Sequence, residues 1–363
     1  MRLLHCADVH LDTAFRGLGP EASVQRRVAL RQTFQKLVGL AVELKVDALT
    51  IAGDLYEDRY AGQDTARFLA EQLGRLPFPV LISPGNHDYW HPGSLYAVQE
   101  WPANVHVFST GEFAPFELDG FRIFGIAHTK PKGTSDLLEG FTVPEGQPAV
   151  ALFHGSERGQ LPVQGEGKED HAPFGEPEIA QAGFRFGLVG HFHTPRVTAR
   201  MVYPGNPEPL TFGELGERGA AEVDFSSEPP VVKIHPVGTF TLSEVEVDVT
   251  GCQHSEAVVE RAKEALPVGP NTGARVRVVG ELALGVRIGP SQLVERLREG
   301  GRCVEVVFAT RPEVDLEELS HSPDIRGEFV RGLMARSDLD TELVQSALRA
   351  GLEALRGEEP AIL

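Results

Sequence analysis

Five short apolar runs in the first 193 residues each lead into Asp, Asn or His side chains, and this repetition restricts the fold more than any other feature. Each run is four to six residues long, which is typical of a buried strand. Segments 24–44 and 65–76 show helical spacing of apolar residues and separate the first three runs. This alternation predicts a sheet covered by helices. The runs are Leu3–Cys6, Asp47–Ala52, Pro79–Ser83, Ala149–Phe153 and Phe186–Val189.

The side chains that follow these runs have the character of metal ligands. Each has an ordinary structural explanation when taken alone, such as a turn or a helix cap. Together they place carboxylates, imidazoles and one amide at strand ends, where open α/β sheets form their sites. The residues are Asp8, His10, Asp54, Asn86, His154, His191 and His193, with His87 and Asp88 beside them.

The donor types restrict which metals can bind and which reaction they can support. Two divalent cations about 3.5–4 Å apart need a bridging oxygen ligand, and a carboxylate such as Asp54 can span both. Imidazole with carboxylate suits manganese, iron or zinc, and the lack of Cys in the set argues against structural zinc. A water acidified between two cations can attack phosphorus, and a His outside the ligand set can protonate the leaving oxygen.

The same residues form five motifs that resemble those of the calcineurin-like metallophosphoesterase superfamily. The motifs are Asp8-Val9-His10, Gly53-Asp54, Gly85-Asn86-His87-Asp88, His154 and Gly190-His191-Phe192-His193. The resemblance implies an α/β (α+β) fold, a four-layer β-sandwich flanked by helices. It also implies two divalent ions, of which manganese is the expected metal. One ion would bind Asp8, His10, Asp54 and His193, and the other Asp54, Asn86, His154 and His191. His87 would be the general acid, oriented by Asp88.

Within that superfamily the chain resembles the DNA repair exonucleases of the SbcD/Mre type, particularly the YhaO-like bacterial branch. The segments LLHCADVHLDTAFRGL, VDALTIAGDLYED and 203–214 carry this resemblance. It implies DNA exonuclease or endonuclease action, a homodimer and an SMC-like coiled-coil ATPase partner. Glu57 departs from the archaeal and eukaryotic members, which carry a His there that is tied to exonuclease action. The balance of exonuclease and endonuclease activity therefore stays open. Asn206 replaces the usual Ser.

The second half of the chain predicts a smaller, separate body. Alternating strands at 242–249, 275–279 and 303–309 are separated by helical stretches at 255–266 and 291–298. We expect a phosphoesterase domain at 1–238, an α/β capping domain at 239–310 and a C-terminal helical segment at 311–363. That segment is helical from 328 to 356, with a break near Ser337-Asp338. It could dock on the ATPase or pack on the cap.

Further substrate-binding residues are expected close to the motifs. Arg16 could contact a backbone phosphate, as could Arg26 and Arg27. Tyr89 and Trp90 directly follow the GNHD motif and could stack on an unpaired base. The alternative is that Trp90 packs under its loop.

Bulk composition restricts location and leaves rival functions. No apolar run is long enough for a transmembrane helix, and the N-terminus does not resemble a secretory signal. Three scattered Cys fit a cytoplasmic protein. The net charge of −18 disfavours coating of nucleic acid by bulk electrostatics but allows an enzyme that uses cations. The rival functions are a phosphodiesterase for small nucleotides and a scaffold subunit for the ATPase.

Overall fold

The structure is a computed structural model that describes residues 1–132, 136–160, 170–269, 271–282, 286, 288–299, 301–312, 316–336 and 341–355. In chain order, the strands are β1 (Arg2–Cys6), β2 (Ala48–Ala52), β3 (Val80–Ser83), β4 (Val105–Val107), β5 (Ala114–Leu118), β6 (Phe121–Gly125), β7 (Ala149–His154), β8 (Phe186–Gly190), β9 (Arg196–Val197), β10 (Met201–Tyr203), β11 (Gly219–Asp224), β12 (Val231–Pro236), β13 (Thr241–Asp248), β14 (Thr272–Val279), β15 (Glu281–Leu282), β16 (Cys303–Phe308) and β17 (Arg311–Pro312). The helices are α1 (Pro20–Leu44), α2 (Gln63–Gly74), α3 (Leu95–Val98), α4 (Glu176–Gln181), α5 (Ser255–Ala265), α6 (Pro290–Leu297), α7 (Leu316–Ser320), α8 (Ile325–Met334) and α9 (Thr341–Leu355).

The first six-stranded sheet has the order β12-β11-β1-β2-β3-β4. Strands β1 to β4 run parallel, whereas β11 and β12 add to the β1 edge in antiparallel fashion. The long helix α1 makes the first crossover. It begins with Pro20 in its first turn and ends where Lys45 takes a left-handed conformation, with φ of 52°. Every residue of β2 is buried, as expected for a parallel strand covered on both faces.

The second six-stranded sheet has the order β5-β6-β7-β8-β10-β9. Strands β5 and β6 form the antiparallel pair that the Gly-containing turn predicts. Strand β4 belongs to the first sheet, where it pairs in parallel with β3. The reason is the connection. The 21 residues from 84 to 104, including α3, are long enough for a crossover, and a crossover returns the chain in the parallel sense.

The two sheets pack face to face, and helices cover their outer faces. Leu3, Leu81, Leu152 and Leu188 belong to the apolar layer between the sheets. A second layer lies between the first sheet and helices α1 and α2. A third covers the outer face of the second sheet, where Ile179 of α4 contributes. The predicted fold class, a layered α/β sandwich flanked by helices, is confirmed.

Strands β10, β11 and β12 were not predicted from the sequence. Strand β11 pairs with β1 across the register Leu3↔Val223, so the chain returns to the first sheet after completing the second. Its small residues Gly219, Ala220 and Ala221 carry little strand propensity, and packing decides their conformation.

The chain divides into two compact units. The first comprises residues 1–245, 266–275 and 297–305, and the second comprises 246–265, 276–296 and 306–363. The predicted domain boundaries near 238 and 310 stay predictions. Helices α7, α8 and α9 share an apolar cluster that includes Val330, Leu348 and Leu352. The predicted break near 337–338 lies outside the described residues. Among the described helices, none combines the length and apolar character that a membrane crossing requires.

Candidate metal centre

The ends of five strands bring the sequence-predicted ligands into one place. Strands β1, β2 and β3 belong to the first sheet, and β7 and β8 belong to the second. Donor atoms of Asp8, His10 and His193 lie within 4.8 Å of one another, as do those of Asp8, Asp54 and His154. The ligand candidates are buried, except that His193 is partly exposed.

Asp54 occupies the middle of this cluster. Its Oδ2 lies 3.6 Å from Nε2 of His10 and 3.3 Å from Nε2 of His154. Its Oδ1 accepts a hydrogen bond of 2.9 Å from the backbone N–H of His87. One carboxylate oxygen therefore faces an imidazole on each side, which is the arrangement required of a ligand shared between two cations.

The remaining candidates lie on the two sides of Asp54. Oδ1 of Asn86 is 3.0 Å from Nε2 of His154, and Nδ1 of His191 is 3.3 Å from the same nitrogen. The Asp8 carboxylate accepts from the backbone N–H of His191 at 3.1 Å and lies 4.0 Å from Nε2 of His193. The structure thus brings together all seven sequence-predicted ligands.

The residues fit divalent cations by a test independent of the motifs. Nε2 of His10 is buried, and it has no hydrogen-bond partner among the described residues. A buried polar nitrogen without a partner costs about 1–3 kcal/mol unless something binds it. The surrounding donors are carboxylate and amide oxygens and imidazole nitrogens, a set that suits manganese, iron or zinc.

The electrostatics of the cluster favour a bound positive charge. Burial opposes protonation of His154, but the charge of Asp54 and its hydrogen bond raise the pKa of His154 to about 9. Burial alone would raise the pKa of Asp54, yet His154 and His10 hold it well below its ordinary value. A cation that binds here would compete with the proton that the raised pKa of His154 favours.

Several ligand candidates hold unusual backbone conformations. Asp8, His10 and Asp54 have φ of 55°, 50° and 52°, and His191 has φ of 113°. Few residues other than Gly adopt positive φ, and such positions cluster at functional sites because the surrounding structure enforces them. The fold therefore accepts local strain in order to aim these side chains inward.

Gly53, which precedes Asp54, is required by close approach as well as by conformation. Its φ is 78°, and a Cβ there would lie 2.6 Å from both Cα of Gly85 and Nδ1 of His154. The lack of a side chain at Gly53 therefore allows Gly85 and His154 to lie close to the Asp54 loop.

His87 lies at the mouth of the cluster, where its side chain is 45% exposed. Its Nδ1 is 3.0 Å from Oε2 of Glu57. This hydrogen bond raises the pKa of His87 to about 9, although partial burial opposes the shift. The position and the raised pKa suit a proton donor.

The carboxylate at the His87 ring is Glu57, whereas the family resemblance implied that Asp88 orients this ring. The buried Asp88 accepts from the backbone N–H groups of Gly85, Asp54 and Leu55 and from the Tyr96 hydroxyl. Burial and the charge of Asp54 raise the pKa of Asp88 to about 6. Asp88 therefore joins the loops that carry Asp54 and His87, and its influence on the His87 ring is indirect.

A cleft of about 540 Å³ opens onto the cluster. Besides the predicted residues, Glu57, Lys132 and His171 line it. The place of His171 in this cleft was not predicted from the sequence, nor was the contact of Glu214, whose Oε1 is 2.7 Å from Nδ1 of His193. These residues reach the site through contacts between segments distant in the sequence, which no local pattern reveals.

The predicted substrate-binding residues lie outside this cleft. Arg16 lines a neighbouring cavity of about 620 Å³ and donates to the Tyr60 hydroxyl at 2.5 Å. Trp90 is partly buried against the core beneath α1 and α2. The Tyr89 ring lies 4.8 Å from that of His91. Packing therefore accounts for Trp90.

The structure contradicts a phosphate contact by Arg26. Its guanidinium is buried, 2.9 Å from the Glu208 carboxylate, and lies 3.8 Å from the centre of the Phe240 ring. A buried, paired arginine of this kind supports the fold.

Comparison with known proteins gives the same family as the motifs. The family model of the calcineurin-like phosphoesterases matches residues 1–195. The chain is 27% identical to the uncharacterized metallophosphoesterase YhaO of Bacillus subtilis, over 73% of this chain and 67% of that one. It is 29% identical to the DNA double-strand break repair protein Mre11 of Methanopyrus kandleri, over 98% of this chain and 82% of that one. It is 26% identical to the DNA double-strand break repair protein Mre11 of Haloferax volcanii, over 72% of this chain and 58% of that one. The resemblance read from the motifs is confirmed.

Proposed function

This chain belongs to the calcineurin-like phosphoesterase family and is a metal-dependent hydrolase of phosphoester bonds, and from that premise we propose that it is a two-metal nuclease that cleaves DNA in repair or end processing. One observation carries the proposal: a complete set of oxygen and nitrogen donors surrounds Asp54, and His87 stands at the mouth of the same cleft. A scaffold subunit would have no need of both features together.

The residues would divide the two cations between them. Asp8, His10 and His193 would hold one cation, Asn86, His154 and His191 would hold the other, and Asp54 would contact both. When bound, two divalent cations activate a water molecule as the nucleophile and stabilise negative charge on the phosphoryl oxygens. Manganese is our choice of metal, since imidazole and carboxylate donors suit it.

The protein's own groups would handle the proton and the orientation. His87 is exposed to the cleft and carries a proton near neutral pH because its pKa is about 9. It would give that proton to the leaving oxygen. Asp88 fixes the loop on which His87 stands, through its hydrogen bonds to Gly85 and Leu55.

DNA is the proposed substrate class because one relative that matches 98% of this chain, and another that matches 72% of it, are DNA repair proteins by name. The main alternative is a phosphodiesterase for small nucleotides, for which a cleft of about 540 Å³ has room. The same assay separates the two, as follows.

The test is cleavage of end-labelled single- and double-stranded DNA by metal-stripped protein refilled with manganese, with the His87→Ala variant beside it. We expect the wild type to cut DNA and the variant to bind manganese without cutting. If DNA survives while bis-p-nitrophenyl phosphate is hydrolysed, the metal site is correct and the DNA substrate is wrong. Small nucleotides would then be assayed in its place.

We also propose that the chain forms a homodimer and that α8 and α9 dock on an SMC-like coiled-coil ATPase. Ile325, Met334 and Leu343 on these helices are 70%, 56% and 56% exposed, which is unusual for large apolar side chains. Light scattering tests the dimer, and co-purification with such an ATPase tests the partner. The free thiols of Cys6, Cys252 and Cys303 are buried, in line with a proposed cytoplasmic location.

A further inference from the structure

Four residues form a closed circuit of hydrogen bonds around one candidate ligand, and we call His193, Glu214, Asn206 and Arg218 the Asn206 network. Nδ1 of His193 lies 2.7 Å from Oε1 of Glu214, whose Oε2 accepts from the Asn206 amide at 2.6 Å. Oδ1 of Asn206 accepts from the Arg218 guanidinium at 2.6 Å. Arg218 also donates to the backbone carbonyl of His193, which closes the circuit.

The Asn206 network is buried and closely packed. Asn206 is fully buried, and Arg218 is only 7% exposed. The backbone N–H of Asn206 also donates to the His193 carbonyl, at 3.2 Å. Gly205 lies so near that a Cβ there would be 2.5 Å from the same carbonyl oxygen. Buried polar groups that satisfy one another in this way specify a single arrangement, so both the backbone and the imidazole of His193 are fixed.

The Asn206 network also connects the two sheets beside the metal centre. His193 follows β8 and Asn206 follows β10, both of the second sheet, whereas Arg218 directly precedes β11 of the first sheet. Strand β11 pairs with β1, and the loop after β1 carries Asp8 and His10. The proposed cation of Asp8, His10 and His193 needs donors from both sheets at a fixed separation, and the network lies where that separation is set.

The amide of Asn206 suits the central place in this network. The Glu214 carboxylate can only accept and the Arg218 guanidinium can only donate, so an amide, with its donor and acceptor on separate atoms, satisfies both. The Ser that is usual here in the resembled family has one hydroxyl on a shorter side chain. That hydroxyl would have to serve both partners from a single atom nearer the backbone.

We infer that Asn206 is a positioning residue that, through Glu214 and Arg218, holds His193 as a metal ligand. It thereby sets the affinity for the cation that His193 would bind, and leaves the affinity for the other cation unchanged. The inference rests on the proposed function, because it concerns the metal centre of the same reaction.

The selectivity follows from how the imidazoles on each side are held. With Nδ1 bonded to Glu214, Nε2 of His193 is left for a cation, and it lies 4.0 Å from Oδ1 of Asp8. Metal-ligating histidines commonly donate their other N–H to a carboxylate, which sets ring orientation. On the other side, Nδ1 of His154 lies 2.8 Å from the Ala52 carbonyl, a backbone contact that does not involve the Asn206 network.

Glu208 offers a matched control in the same segment of the chain. It is buried, and its carboxylate lies 2.9 Å from the Arg26 guanidinium and accepts from the Thr239 N–H at 2.8 Å. These contacts connect the segment to α1 and to the start of β13, away from His193. A residue that only stabilises the segment should therefore behave like Glu208.

The experiment titrates zinc into metal-free protein while ¹H–¹⁵N spectra record the histidine rings. Zinc suits the same donors and is diamagnetic, so the signals of His193 and His154 report the two cations separately. We expect Asn206→Ala to raise the zinc concentration at which His193 responds by about tenfold, the lower end of the range for partners outside the ligand set. The His154 response should keep its wild-type concentration. Glu208→Gln should lower the urea midpoint of unfolding and leave both responses in place.

Two further substitutions of Asn206 separate positioning from folding. Asn206→Asp keeps the size and the acceptor for Arg218 but replaces the donor to Glu214, so it should weaken the cation at His193 at least as much as Asn206→Ala. Asn206→Ser keeps one hydroxyl and should give an intermediate affinity. Because these two side chains stay polar, they provide the same test if Asn206→Ala does not fold.

A readout without metal keeps the inference separate from the proposed function. In metal-free protein, the Nδ1–H signal of His193 reports its hydrogen bond to Glu214, and we expect it to shift in Asn206→Ala and to stay in place in Glu208→Gln. An unchanged zinc response of His193 in Asn206→Ala, or equal weakening at His193 and His154, would overturn the inference even in a protein that cuts DNA. If the wild type fails to cut DNA while Asn206→Ala weakens the cation at His193 alone, only the substrate proposal fails.

Discussion

The two sheets of the sandwich contribute different chemistry to the metal centre. Loops after strands of the first sheet supply all three oxygen donors, from Asp8, Asp54 and Asn86, together with one imidazole, from His10, and the proposed acid His87. The ends of strands in the second sheet, and the loop after β8, supply only imidazole nitrogens, from His154, His191 and His193. Each described cluster that contains Asp8 mixes donors from both sheets. The centre therefore depends on how the sheets pack, since neither carries a complete site.

The largest loss of activity is expected from substitution of Asp54, whose carboxylate lies between the donors of the two sheets. Asp54→Asn removes the charge that faces His10 and His154 while preserving side-chain size. We expect phosphodiesterase activity to fall to background, beyond the roughly 10⁴-fold upper range for loss of a general acid. A steady-state assay on bis-p-nitrophenyl phosphate measures it. Activity above one tenth of wild type would mean that Asp54 is not a ligand shared by the two cations.

A smaller loss of activity is expected from substitution of His87, the proposed acid, which stands on a loop of the first sheet. His87→Ala should lower kcat on DNA by about 10²–10⁴-fold, the contribution of general acid catalysis, because no other group then protonates the leaving oxygen. Manganese content, measured by mass spectrometry of the metal, should equal that of wild type. A variant that loses metal along with activity would place His87 among the ligands.

Packing between the sheets provides a direct test of whether the metal centre depends on both of them. Leu188 is fully buried between the sheets, and Leu69 is fully buried between the first sheet and α2. Truncation of either to Ala should lower the free energy of unfolding by about 2–5 kcal/mol, as measured by urea denaturation. Only Leu188→Ala should also weaken manganese binding, since it alone loosens the contact between the sheets. Equal manganese affinity in the two variants would count against a centre that depends on both.

The last expected effect depends on pH and comes from a buried bridge between the sheets. His5 on β1 is buried, with Nδ1 3.0 Å from the Thr50 hydroxyl and Nε2 3.3 Å from the Val189 carbonyl on β8. Burial lowers the pKa of His5 from its ordinary 6.5 to about 4. As pH falls below 6.5, the unfolded chain takes up this proton first, so the free energy of unfolding decreases until pH 4. One pKa unit corresponds to about 1.4 kcal/mol, which gives a loss of about 3 kcal/mol over this range.

Urea denaturation at pH 7.5, 5.5 and 4.5 measures this dependence in wild type and in His5→Gln, which lacks the titrating group. Because other buried groups titrate in the same range, the difference between the two proteins isolates His5. The His5 account does not survive if both proteins lose stability in parallel.

Much of the centre could be predicted from sequence because its residues directly follow strands. Apolar runs identify β1, β2, β3, β7 and β8, and ligands placed within four residues of a strand end must converge when the strands align. The motif glycines also lie close to strand ends. Gly53 and Gly85 permit the close approach of their loops because they have no side chain.

The contacts made by Glu57, Glu214 and His171 could not be predicted, because each depends on loops far apart in the chain. Glu57 meets His10 and His87 from positions 47 and 30 residues away. The family resemblance marks position 57, but nothing local in the sequence indicates that the Glu57 carboxylate meets both histidines. The parallel pairing of β4 was missed for a related reason, since its partner depends on the path of a connection that carries little apolar periodicity.

The most direct test of the account is calorimetric titration of manganese into metal-free wild-type protein and into the Asp54→Asn variant. A centre built by both sheets around one shared carboxylate predicts two ions per wild-type chain and weaker binding of both ions in the variant. A single ion in the wild type, or two ions bound with unchanged affinity by Asp54→Asn, would contradict it.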